Sequence, residues 1–120
     1  MSAFSDTLAQ VAARVPETQL LIVMGIDGIP IEKLVVRPAA NLEAVSAEFT
    51  SLLKSGVAVA ADTGLGQLKE LSIVTEKMIA LLVAITPEYF LFAALAPGAL
   101  MGRARFALHA AGLALEREFA

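Results

Sequence analysis

Apolar residues recur along the chain in two rhythms, one of helical and one of strand period, and the switches between them divide it into eight elements. Residues 5–14 (SDTLAQVAAR) set Leu8, Val11 and Ala12 at helical spacing behind Ser5 or Asp6 as N-cap, and the pattern stops before Pro16. TQLLIVMGI (18–26) and IPIEKLVV (29–36), rich in β-branched and large apolar residues, read as two strands around Asp27-Gly28. This is hairpin grammar, and a two-residue turn that matches the twist of its strands needs positive φ at both central positions. Pro30 has no N–H to give a ladder, so the second strand belongs at a sheet edge.

Asn41 then stands as N-cap and Glu43 lies in a first turn, where the helix dipole favours an acid. From 42 to about 61 the spacing predicts a helix roughly 30 Å long. Its apolar stripe is Val45, Phe49, Leu52 and Gly56, flanked by Leu42, Leu53 and Val57. The opposite face, Ala44, Ala47, Glu48, Ser51, Lys54, Ser55 and Ala58, is mostly small, which suits either solvent or the close approach of another helix. After DTGLG come three strand-like runs, QLKELSIVTE (67–76), KMIALLVAIT (77–86) and YFLFAALA (89–96), a meander. Alternation sends Ile79, Leu81, Val83 and Ile85 one way and Met78, Ala80, Leu82 and Ala84 the other, and Phe90 and Phe92 oppose Tyr89, Leu91 and Leu95. Both faces of these strands are apolar, so helices should cover the sheet on both sides, while Lys69, Glu70 and Ser72 mark the first run as a polar edge. A closing helix, 99–118, carries Met101, Ala104, Leu108, Ala111 and Leu115 on one stripe. The order is α-β-β-α-β-β-β-α, an α+β fold in one domain over residues 1–120, with no internal repeat or linker.

Composition sharpens this picture. Hydrophobic residues make up 58% of the 120 against 18% charged, more apolar surface than one small domain ordinarily hides, so oligomerisation is expected. A net charge of −3 with scattered Lys and Arg gives phosphate backbones and anionic lipid no general attraction, so nucleic acid is not an expected partner. The absence of cysteine excludes disulfides and thiolate chemistry and fits a cytoplasmic protein. The greasiest stretch, 78–102, is cut by Thr86-Pro87-Glu88 and by Pro97-Gly98 into strand-length pieces. The N-terminal residues lack the apolar core of a secretion signal. No membrane insertion is expected.

Candidate chemistry is sparse. VAVAA before Asp62-Thr63-Gly64, with Leu100-Met101-Gly102-Arg103 later, resembles the signature of dimeric aspartic proteases, in which one such Asp from each chain shares a proton. Yet Asp62 ends a helical pattern instead of following a strand, and a helix C-terminus leading into a glycine loop explains the residues better. Gly64-Leu-Gly66 leads into a strand and lacks the Lys-Ser/Thr of a phosphate loop. His109 has no second histidine for a metal, and Arg103 and Arg105 read as solvated or locally paired. Asp27 has only Glu32 as a nearby carboxylate and reads as half of the turn. No cofactor, metal or enzymatic activity is expected.

Four stretches taken together resemble the Roadblock/MglB family over almost the whole chain. They are the first strand ending in Asp27-Gly28-Ile29-Pro30, the long helix after Asn41, Leu65-Gly66-Gln67-Leu68-Lys69-Glu70 entering the third strand, and Leu100-Met101-Gly102-Arg103-Ala104-Arg105 opening the last helix. The resemblance implies a five-stranded antiparallel sheet with the long helix on one face and the terminal helices on the other. It also implies a homodimer in which the third strands join into one continuous sheet, with Gln67, Lys69, Leu71, Ile73 and Lys54 at the interface. It further implies a platform for a small Ras-like GTPase of the MglA type, whose nucleotide state or location the dimer modulates. By helix face, Ala44, Ala47, Glu48, Ser51, Ser55 and Ala58 are the expected partner contacts. The family also contains scaffolds, so an adaptor or light-chain-like subunit without GTPase contact is the alternative.

Overall fold

The computed structural model describes residues 2–39 and 41–119. Helix α1 (Ala3–Arg14) leads into strands β1 (Thr18–Gly25) and β2 (Pro30–Val35); helix α2 (Leu42–Asp62) follows, then β3 (Glu70–Val74), β4 (Ile79–Ala84) and β5 (Tyr89–Leu95), and helix α3 (Met101–Glu116) runs into a 3-10 turn at Arg117–Phe119. The sheet is antiparallel throughout in the order β2-β1-β5-β4-β3. Alternation along the three inner strands divides the core in two. Leu21, Val23, Leu81, Val83 and Leu91 meet Leu8 and Val11 of α1 and Ala104, Leu108 and Leu115 of α3. Leu20, Ile22, Met24, Leu82 and Phe92 meet Leu42 and Leu53 of α2 on the other face. The long helix therefore covers one face and the terminal helices the other, in a three-layer α+β arrangement.

Local chemistry differs from the sequence expectation at three points. Helix α1 begins a turn early because the Ser2 hydroxyl, not Ser5 or Asp6, accepts from the Ser5 N–H at 3.1 Å. Asn41 precedes α2 in the left-handed region (φ 71°) and its side chain makes no capping bond. The hairpin loop is one residue longer than a two-residue turn. Gly25 N–H bonds Ile29 C=O and Gly28 N–H bonds Gly25 C=O, both at 2.9 Å, which closes a turn over Ile26-Asp27. Only Gly28 takes positive φ (90°), and the extra residue shifts the β1–β2 register after Val23. Asp27 serves this turn: its Oδ1 accepts from the Ile29 N–H at 3.0 Å.

Helix α2 is also rotated from the expected stripe. Its buried line is Leu42, Ser46, Thr50, Leu53 and Ala60, while Leu52 is 44% exposed. Ser46 and Thr50 tolerate burial because their hydroxyls donate to backbone carbonyls of the preceding turn, Glu43 at 2.6 Å and Ser46 at 2.8 Å. At the far end, Leu65 N–H bonds Ala60 C=O and Gly64 N–H bonds Ala61 C=O, with Gly64 at φ 73°. That is a Schellman stop, and it assigns Asp62-Thr63-Gly64 to helix termination.

Candidate protein-interaction site

Ala44, Ala47, Glu48, Ser51, Ser55 and Ala58 all face solvent on α2. They are not a uniform small-residue face. Ala47 and Ser51 lean toward the β1–β2 hairpin, where they line an open groove of about 400 Å³ with Met24, Lys33, Thr50 and Lys54. A Lys33–Glu43 ion pair, 2.6 Å between exposed side chains, sits at this groove. The other flank of α2 turns toward β3: a Cβ on Gly56 would stand 3.2 Å from Leu68 Cδ2, and Val57 shares a depression with Gln67, Leu68 and Lys69. Leu52 and Val59 lie one turn to either side of Gly56 on that flank, exposed by 44% and 59%. Sequence periodicity assigned Leu52 to the core and left Val59 unremarked, since an apolar arc broad enough to serve both a core and a second surface looks like one wide stripe.

Strand β3 ends the sheet on that same side. Ala84 N–H donates to Lys69 C=O, and the register continues through Leu71↔Leu82 and Ile73↔Ala80. Antiparallel alternation thus turns the backbone of Leu71 and Ile73 toward β4 and leaves the N–H and C=O groups of Glu70, Ser72 and Val74 facing outward. Leu71 and Ile73 place half-buried side chains against the α2-side core, and Gln67 and Lys69 are exposed just before the strand. Lys54 is not with them; it lies on the opposite flank of α2, over the hairpin groove. Val74, 67% exposed, closes the edge.

The two sheet edges are differently protected. β2 carries Pro30, a register shift and Lys33, three devices that discourage another strand from adding. β3 is regular over its five residues and has none of them.

On the α3 face of β3, Glu70 accepts two hydrogen bonds of 2.8 Å, one from Arg105 Nε and one shared with His109 Nε2. Arg105 also reaches Ser72 Oγ at 3.5 Å. Burial by itself would push the Glu70 carboxyl up, but the bonds to His109 and Arg105 and the arginine's charge outweigh it and hold the group below its ordinary value. Sequence spacing could not place residues 70 and 105 together. Among the described residues no group of three His, Asp or Glu side chains is arranged for a metal, and no helix is long and apolar enough to cross a membrane.

No protein-family model matches the chain, and no curated protein matches it by sequence. Its backbone does have close counterparts among solved structures. MglC from Myxococcus xanthus superposes with a TM-score of 0.71 at 26% identity, covering 98% of this chain and 99% of that one. Myxococcus xanthus MglB gives 0.87 at 9% identity, covering 99% and 96%. The chain has the Roadblock/MglB fold. A Roadblock/LC7 domain from Streptomyces avermitilis agrees, at TM-score 0.81 and 12% identity over 92% of each chain. In this fold the α2 flank bearing Leu52 and Val59 and the open β3 edge form one side of the molecule, and the Ala44–Ala58 face forms its top.

Proposed function

We propose that this protein is a homodimeric regulator or scaffold that binds a small Ras-like GTPase of the MglA type and modulates its nucleotide state or location. The observation that carries the reading is the coincidence of an undefended sheet edge with an exposed apolar helix flank on the same side. Pairing a second copy along Glu70, Ser72 and Val74 joins two sheets and brings the two α2 helices side by side, which covers Leu52 and Val59. Ala44, Glu48, Ser51, Ser55 and Ala58 of both copies then form one continuous surface of small side chains with few charges, suited to a flat protein partner. The likeness to MglB and MglC supports a GTPase as that partner. On this reading any effect on hydrolysis comes from repositioning the GTPase's own groups.

Two experiments test this. Sedimentation at micromolar concentration should show a dimer, and Ser72→Pro, which deletes an outward N–H without taking one from the β3–β4 ladder, should dissociate it. Titration with an MglA-type GTPase in each nucleotide state should show binding that Ser51→Arg or Ser55→Glu weakens by tenfold or more while the dimer persists, in line with the usual cost of a misplaced interfacial charge, about 1.4 kcal/mol or above. A stable dimer that binds no GTPase but is purified with another protein on α2 would instead establish the adaptor role.

A further inference from the structure

The pairing edge is held from behind. Of the three β3 residues whose backbone groups face outward, two have side chains gripped by α3: Glu70 by Arg105 and His109, and Ser72 by Arg105. β3 is short, and its residues are half-buried or, at Val74, exposed, so side-chain packing alone restrains it weakly. Glu70 is the strand's first residue, where an edge strand frays most easily. Its carboxylate bridges two basic side chains four positions apart on α3, which without it would repel each other whenever His109 is charged.

We propose that Arg105 and His109 are positioning residues for assembly: through Glu70 they hold the outer edge of β3 extended and in register, ready to accept a second copy. The proposal rests on the reading that two copies join through β3. The strand that adds must find the Glu70, Ser72 and Val74 N–H and C=O groups already aligned, and ordering them in advance lowers the entropy lost on association. Arg105 gives Glu70 a charge-assisted bond, and His109 Nε2 shares a second with the other carboxylate oxygen. The clamp holds while Glu70 is ionised and is lost when acid protonates it, below its ordinary carboxyl value.

The test is the dimer dissociation constant by sedimentation near neutral pH for the wild type, Arg105→Gln, His109→Ala and Ser72→Pro. Arg105→Gln should weaken the dimer about fivefold and His109→Ala about twofold, the range expected of partly exposed polar pairs. Hydrogen exchange should quicken at Leu71 and Ile73 in the Arg105 variant while β1 and β5 stay protected, which shows local loosening instead of misfolding. If Ser72→Pro dissociates the dimer but Arg105→Gln leaves it intact, or if His109→Ala associates as tightly as the wild type, the clamp is wrong and the β3 reading stands. A dimer that survives Ser72→Pro, or no dimer at all, overturns the β3 reading and the clamp with it.

Discussion

Adjacent leucines on α2 give the sharpest check on how that helix is set against the sheet. Leu53 is 6% exposed and packs with the Phe92 side of the core, whereas Leu52 is 44% exposed on the flank toward β3. Truncating either to alanine removes three carbon groups, about 2.4 kcal/mol of transfer free energy at ~0.8 kcal/mol each when fully buried. Leu53→Ala forfeits nearly all of that and leaves a cavity under a helix that cannot collapse freely, for a cost of about 3 kcal/mol. Leu52→Ala forfeits only the covered part and leaves no void, for about 1 kcal/mol. With an unfolding entropy of about 0.25 kcal/mol/K for a chain of this length, the two variants should differ in Tm by about 8 °C. Differential scanning calorimetry in the Ser72→Pro background, where the monomer should dominate, is the assay. With Ser72 restored, raising the concentration should stabilise the wild type and Leu53→Ala alike but Leu52→Ala less, because the exposed part of Leu52 contributes only when a second copy covers it. Equal losses from the two truncations, or a larger loss from Leu52→Ala, in the monomeric background would refute the helix orientation and with it the exposed flank.

In the hairpin, a Cβ on Gly25 would fall 2.5 Å from Asp27 Oδ1, so Gly25→Ala must displace that carboxylate from the Ile29 N–H. Its cost, about 1 kcal/mol, should not add to that of Asp27→Ala in a double-mutant cycle by denaturant unfolding; full additivity would contradict the shared bond. At the end of α2, Gly64→Ala should cost about 1 kcal/mol because Gly64 sits at φ 73°, while Asp62→Asn should leave stability and any activity unchanged; peptidase activity lost on Asp62→Asn would revive the protease reading. For Glu70 the sign follows from its lowered value. Its stabilisation is full above the ordinary carboxyl value of 4.5 and is lost as pH falls through the lower folded value, so Glu70→Gln should be less stable than the wild type by about 1 kcal/mol near neutrality and equal to it in strong acid. A gap that widens as pH falls below 4.5 would reverse the assignment.

The chain's own pattern sufficed for the number, order and type of elements, because each strand of the meander alternates cleanly between two apolar faces and each helix shows its period. Pro30 marked β2 as an edge and the polar residues marked β3 as the other, and both stand there. Those are local properties, carried by residues a few positions apart. Local pattern failed wherever the outcome depended on a distant neighbour or on a backbone carbonyl. Ser46 and Thr50 read as polar yet are buried, since their hydroxyls are satisfied within the helix, and that rotation exposed Leu52. Lys54 and Gln67 read as one interface yet lie on opposite flanks of α2. Which β3 residues present their backbone outward depends on register with β4, and the meeting of Glu70 with Arg105 and His109 depends on how α3 crosses the sheet. Periodicity determines what a segment becomes; only packing determines which of its atoms remain free to meet something else.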